Sequence, residues 1–244
     1  MARFFVSAEE LLQDEILLSG DVARHAAVLR LKPGEKVTLC DGEGREALCR
    51  VQSSEKDALL LRVLSRGQSE NEARVFVTLY MAFSKSDKFE HVVQKATELG
   101  AFRVVAFPSA RCVSRPDEKS LKNKLSRWEK IAASAAEQSG RGVIPKVSAL
   151  PSFAAVLAEA NQTDVPVLCY ENEDGFSLSD ALRKKTGFST VSLITGPEGG
   201  LTEEEVDAAR EAGVFVCTLG KRILRCETAP LAALSATLFA AGEF

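Results

Sequence analysis

Thr195-Gly196-Pro197-Glu198-Gly199-Gly200 follows the apolar run 190–194 and leads into a helical pattern beginning at Thr202. A second stretch, Leu219-Gly220-Lys221-Arg222-Ile223-Leu224-Arg225-Cys226-Glu227-Thr228-Ala229-Pro230, follows the apolar run 214–219 and does the same. Short apolar runs bounded by glycine read as buried strands, so both stretches are strand-to-helix loops, ending side by side. Glycine in the first lets backbone approach a ligand closely and permits torsions that other residues avoid. Thr202 with Glu205 three residues on has the spacing of a capping box. In the second loop Thr228 is placed to cap and Pro230 to occupy an early helical position. A glycine turn before a capped helix is common on its own. The crowding of Arg222, Arg225 and Glu227 in the neighbouring loop is what turns the pair toward a ligand site.

Outward from these loops the same rhythm continues. From Arg74 onward strand-like runs at 75–83, 103–107, 165–170, 190–194 and 214–219 alternate with helical patterns at 87–99, 121–138, 153–160, 178–184, 202–212 and 229–241. Such alternation predicts an α/β domain, a mostly parallel sheet covered by helices on both faces. Ligands in such sheets bind beyond the carboxyl ends of the strands, which is where both loops lie, as does Glu171-Asn172-Glu173-Asp174. Before Arg74 the pattern is different. Runs at 4–6, 16–18, 36–40, 47–51 and 58–64 read as strands separated by turns, with a single helical stretch at 20–31, and together predict a small β-barrel module. The polar run 65–72 reads as the linker, giving an N-terminal domain over 1–70 and a C-terminal domain over 74–244.

Bulk properties exclude several classes. The chain is 45% hydrophobic and 27% charged, which fits a globular protein rather than a disordered or fibrous one. No apolar stretch approaches the roughly 20 residues needed to span a bilayer, and the N-terminus turns acidic too soon for a secretory signal, so the expected location is the cytoplasm, with no membrane partner. The six cysteines include no C-x-x-C pair and read as buried free thiols. Two distant histidines, His25 and His91, leave little from which to build a metal site, and none is expected. Net charge is -3, yet residues 103–146 hold ten Lys/Arg against four acids. Part of that surplus belongs to a solvated helix face, but Arg111, Arg115 and Arg141 fall in flanking loops and point to a phosphate backbone as partner. The last helix is apolar nearly all round, so it is buried on more than one side, either within its own domain or against a second subunit.

The loops resist the usual nucleotide reading. There is no G-x-x-x-x-G-K-[ST] or G-x-G-x-x-G, and Glu198, Glu203, Glu204 and Glu205 place carboxylates where phosphates need cations. A ligand uncharged or cationic near the first loop fits better, an adenosyl sulfonium among them.

Beyond the loops, further motifs span the chain in order. They are Phe4-Phe5, His25 with Val28-Leu29-Arg30-Leu31, Ser86-Asp87-Lys88 running into Gln94-Lys95-Ala96-Thr97-Glu98-Leu99-Gly100, Arg127-Trp128, and Ala136-Glu137-Gln138-Ser139 with Arg141 and Pro145. With the two loops, the chain resembles the RsmE family of 16S ribosomal RNA uridine-N3 methyltransferases, in the SPOUT or α/β-knot superfamily. It departs in Thr195, where isoleucine is usual, and in Ala110, where an acid usually precedes Arg111. The resemblance implies a PUA-like RNA-binding barrel, a trefoil-knotted C-terminal domain, a homodimer, and S-adenosylmethionine as methyl donor. It implies a cofactor pocket of Thr195, Gly196, Glu198, Gly199, Leu219, Gly220, Ile223, Leu224, Arg225 and Thr228. RNA contacts are expected from Arg3, Arg24, His25 and Arg30, besides Arg111, Arg115 and Arg141, on 16S ribosomal RNA or the assembled small subunit. Methylating uridine N3 requires loss of its proton and stabilisation of charge on O2 and O4. Arg222, Arg225 and Arg141 are the candidate cations and Glu198, Glu227 and Glu137 the candidate bases, with Arg225 and Glu198 ranked first as catalytic residues. The alternative function is a ribosome-assembly RNA-binding protein that keeps the fold without catalysis.

Overall fold

The computed structural model describes all 244 residues except the side chain of Ser86, so that position of the motif quoted above lies outside the described residues. The chain divides into two units, Met1–Glu72 with Ala136–Ile144, and Ala73–Ala135 with Pro145–Phe244.

In the first unit the elements are β1 (Ala2–Phe5), β2 (Glu15–Ser19), α1 (Gly20–Val28), β3 (Lys36–Cys40), β4 (Arg45–Ser54) and β5 (Ala58–Gln68). The strands form one sheet ordered β1-β3-β4-β5-β2, parallel between β1 and β3 and antiparallel elsewhere. Period-two patterning decides which side is buried: in β2 Ile16 and Leu18 turn inward while Leu17 is exposed. Register shifts at Leu48/Cys49 and Val51/Ser53 add local twist, so the sheet curls over Phe4, Leu39, Leu59 and Leu61. With β1 and β2 left as edges, it makes the curled half-barrel of a small β-barrel-like module. Residues 65–68, expected in the linker, extend β5. Their alternation is hidden because Ser65, Arg66, Gly67 and Gln68 are all exposed.

Residues 136–144, expected in the C-terminal domain, belong to this first unit. Gly44 N–H donates to Gly142 O at 3.2 Å and Ile144 N–H to Gly42 O at 3.0 Å. Arg141 is 5% exposed and donates through Nε and Nη2 to Glu72 Oε2 at 3.0 and 2.7 Å. The other Glu72 oxygen accepts from the Gly142 and Val143 amides.

The second unit contains β6 (Phe76–Ala82), α2 (Ser86–Leu99), β7 (Arg103–Phe107), α3 (Glu118–Ser139, whose last turn lies in the first unit), β8 (Lys146–Ala149), α4 (Phe153–Ala160), β9 (Val165–Cys169), α5 (Leu178–Arg183), β10 (Thr190–Thr195), α6 (Glu203–Glu211), β11 (Phe215–Cys217) and α7 (Ala229–Ala240). All six strands are parallel, ordered β11-β9-β10-β6-β7-β8. Tyr80, Leu168, Ile194 and Val216 pack with Val156 of α4 and Val206 of α6 on one face. The alternate residues Leu79, Val167, Leu193 and Cys217 are buried on the other, where α7 lies against β6 and β10 and α5 against β9 and β11. Burial on both faces is why these strands read as continuous apolar runs. Strand β8 goes unpredicted because only Val147 in it is buried, leaving no periodic signal. No helix among the described residues is long and apolar enough to cross a membrane.

Candidate functional site

The carboxyl ends of the adjacent strands β11, β9 and β10 open onto a cavity of about 440 Å³. Its walls are the two loops singled out in the sequence. Thr195, Gly196, Pro197, Glu198 and Gly200 line it from the first, and Leu219, Gly220, Arg222, Ile223, Leu224, Arg225 and Cys226 from the second. Lys88, Tyr170, Glu171 and Thr218 add further polar groups to the lining.

Local chemistry shapes each wall. The first loop turns on Gly200, whose φ is +69° and whose N–H donates to Pro197 O at 3.0 Å. Gly196 packs so closely that a β-carbon there would sit 3.0 Å from Leu201 Cγ and 3.2 Å from the Gly200 carbonyl carbon. Beyond the turn Thr202 and Glu205 form the expected capping box, Thr202 Oγ1 accepting from Glu205 N–H at 3.3 Å and Glu205 Oε2 accepting from Thr202 N–H at 3.0 Å. Glu205 also accepts from Ser109 Oγ and, at 2.8 Å, from Ala110 N–H. Arg111, held on that segment, donates to the carbonyls of Gly199 and Leu201, each at 3.2 Å.

The second loop leaves β11 beside the segment before α5: Thr218 N–H donates to Phe176 O and Leu178 N–H to Thr218 O. Gly220 takes φ +107° and donates to Thr218 Oγ1. The loop closes where Arg225 O accepts from the Thr228 and Ala229 amides, starting α7 with Pro230 in its first turn. Thr228 is itself helical and makes no side-chain cap, contrary to expectation.

Lys88, near the start of α2, joins the walls. Its Nζ lies 3.6 Å from Glu198 Oε1 in one loop and 3.3 Å from Glu227 Oε2 in the other. Glu198 Oε1 also accepts from the Lys85 N–H at 3.1 Å. Burial alone would raise the Glu198 pKa, but the Lys85 amide, its own backbone and Lys88 outweigh it and hold the carboxyl below its ordinary value. Glu227 is held low too, first by its own backbone N–H. Burial opposes the charge on Lys88, yet Cys226 and the two glutamates raise its pKa. Burial pushes the Cys226 thiol up to about 11, so it stays protonated at neutral pH. A carboxylate paired this way is a weaker proton acceptor than a free one.

Eight of the ten expected cofactor residues line the cavity. Gly199 and Thr228 do not: a β-carbon on Gly199 would meet Arg111 at 3.2 Å instead. Arg222 and Arg225 line the cavity, and their guanidiniums have no hydrogen-bond or ion-pair partner among the described residues. Arg24 pairs with Asp21, while Arg30 is exposed with a left-handed φ of +56°. His25 sits edge-on to Phe4 with Nδ1 3.1 Å from Glu137 Oε1. Arg3 and Arg141, two of the expected RNA contacts, are paired with carboxylates and little exposed. Arg3 is only 10% exposed at its side chain and pairs with Glu46 at 2.9 Å, and Arg141 is buried on Glu72. Arg115 is exposed but donates to the Ser109 and Ala110 carbonyls. Lys88 is the residue that sequence reasoning missed, and Glu171 is one it placed only at a ligand-binding strand end.

Comparison with known proteins bears on what fills such a site. Residues 71–238 match a model described as an RNA methyltransferase domain, and residues 18–64 one described as an RNA methyltransferase PUA domain. The chain is 36% identical to ribosomal RNA small subunit methyltransferase E of Bacillus subtilis, covering 97% of this chain and 95% of that protein. It is likewise 36% identical to the Mycobacterium bovis protein of that name, covering 90% and 84%. A crystal structure of ribosomal RNA small subunit methyltransferase E from Neisseria gonorrhoeae bound to S-adenosylmethionine superposes with a TM-score of 0.86 at 34% identity, covering 98% of both chains.

Proposed function

The chain belongs to the ribosomal RNA small subunit methyltransferase E family, and on that premise we propose that it uses S-adenosylmethionine to methylate N3 of a uridine in 16S ribosomal RNA of the small ribosomal subunit. The observation that carries this reading is the cavity between the two loops, whose volume suits a small cofactor. Glu198 and Glu171 in its lining suit a sulfonium, and the structural relative with 98% coverage holds such a compound.

In this reading Thr195, Gly196, Leu219, Gly220, Ile223 and Leu224 hold the cofactor, which when bound supplies an electrophilic methyl group. Lys88 keeps the walls together through Glu198 and Glu227. Uridine N3 would pass its proton to solvent water and form its bond to the methyl carbon as S-adenosylhomocysteine leaves, and the unpaired guanidiniums of Arg225 and Arg222 would stabilise the negative charge spread over O2 and O4. Orientation of two bound reactants supplies much of the remaining rate. The PUA-type unit offers Arg24, His25 and Arg30 to RNA, and in the second unit Arg111 and Arg115 remain exposed candidates.

The reading extends to a cytoplasmic homodimer with a knotted C-terminal chain. The pairing of Thr218 alongside 176–178 supports the threading, which would be a rare exception to the rule against threaded loops. Exposed Phe239 on the otherwise apolar α7 supports the dimer. The 36% identity to named methyltransferases over nearly the whole chain argues against a binding protein without catalysis.

Purified protein with radiolabelled S-adenosylmethionine should label small subunits from a strain lacking this activity, and digestion followed by mass spectrometry should find 3-methyluridine. Label on another base would overturn the N3 assignment; no label would overturn the reading.

A further inference from the structure

One acidic side chain lining the cavity stands apart from the rest. Glu198 is tied to Lys85 and Lys88. Glu171 lines the same cavity, yet its carboxylate has no hydrogen-bond or ion-pair partner among the described residues. It lies two residues past β9, the strand flanked by β10 and β11, and so between the loops that form the two walls. It reaches the first wall. A β-carbon built on Gly200 would overlap Oε1 of Glu171, so the absent side chain of Gly200 is the space the carboxylate occupies. The φ of +69° at Gly200 independently requires glycine there.

A carboxylate held at the carboxyl end of a parallel strand, beside a glycine turn, is suited to accept two hydrogen bonds from a vicinal diol, the logic by which an acid reads a ribose in doubly wound sheets. We infer that Glu171 is a specificity-determining residue of this cavity, receiving the ribose hydroxyls of an adenosyl ligand, with Gly200 as the residue that makes room for it. The inference rests on the proposed S-adenosylmethionine site. It assigns Glu171 no part in moving the methyl group or the proton.

Calorimetric titration of the full chain with S-adenosylhomocysteine and with 5′-methylthioadenosine tests it. The second ligand keeps the ribose but lacks the amino-acid ammonium. Hydrogen bonds to a charged group correspond to roughly ten- to hundredfold in affinity. Glu171→Gln and Glu171→Ala should therefore weaken both ligands by a similar factor in that range. Their thermal stability should match the unsubstituted chain, because the exposed Glu171 side chain holds nothing else in place. Unchanged affinity in both Glu171 variants would overturn the inference, as would a loss confined to S-adenosylhomocysteine, which would make Glu171 a partner of the ammonium. Binding of neither ligand to the unsubstituted chain would overturn the cofactor site itself, a different failure.

Discussion

Lys88 shows how a single residue ties a site together from outside the motifs that line it. Its ammonium meets Glu198 and Glu227, carboxylates from two loops nearly thirty positions apart. Replacing it with methionine leaves two like charges facing each other, so Lys88→Met should lower cofactor affinity by on the order of tenfold in a calorimetric titration. The pH dependence follows from the direction of each shift. Glu198 and Glu227 have lowered folded-state values, so their contribution is full above the ordinary carboxylate range and is lost as pH falls through those values. Lys88 is raised, so its share is full below the ordinary lysine range and is lost as pH rises through its folded value. The Tm advantage of the unsubstituted chain over Lys88→Met should be flat near neutrality and shrink at both extremes; an advantage insensitive to acid would mean the contact is not electrostatic. Arg225 tests the chemistry instead. If its guanidinium stabilises charge developing on the base, Arg225→Ala should lower kcat by about 10²–10³-fold, as removal of one donor to a developing oxyanion does. The KM for S-adenosylmethionine should barely move, and a change confined to that KM would reassign Arg225 to cofactor binding.

At the level of elements, the N-terminus of α6 fixes the first loop. Thr202 caps the helix, Glu205 returns the bond and reaches on to Ser109 and Ala110, and Arg111 from that segment grips the carbonyls of Gly199 and Leu201. Thr202→Ala should cost about 1 kcal/mol, the usual worth of a cap, measurable by chemical denaturation; a cost near zero would show that Glu205 alone holds the turn. The capping box was legible because its partners are three residues apart. Strand β9 and strand β10 were legible because burial on both faces leaves an apolar run. What stayed hidden depends on partners remote in sequence. Arg3 and Arg141 read as available charges until Glu46 and Glu72 are seen to bury them. Gly199 reads as cavity wall until Arg111 is found on its other side. Glu171 reads as lying at a ligand-binding strand end, but nothing nearby in sequence shows that Gly200 makes room for it.

For the whole molecule the remaining question is what covers α7. Its apolar sequence predicts burial on more than one side, and Pro230, Ala233, Leu234, Thr237 and Leu238 are indeed buried against α2, α5 and the sheet. Ala236, Phe239 and Ala240 are exposed, however, and Phe239 is 73% accessible. Exposing a phenylalanine on an element that needs no charge for its own packing is costly unless another surface meets it, because each square ångström of apolar area withdrawn from water is worth roughly 25 cal/mol. In the homodimer reading a second copy supplies that surface. Sedimentation equilibrium of the full chain should then report twice the 26.3 kDa chain mass. Phe239→Asp should shift the species toward monomer without lowering the fraction folded, since its side chain contributes little to the protomer's own core. A monomer at all concentrations would remove the dimer from the reading. A dimer unaffected by Phe239→Asp would place its interface on another face and leave the exposure of α7 without this explanation.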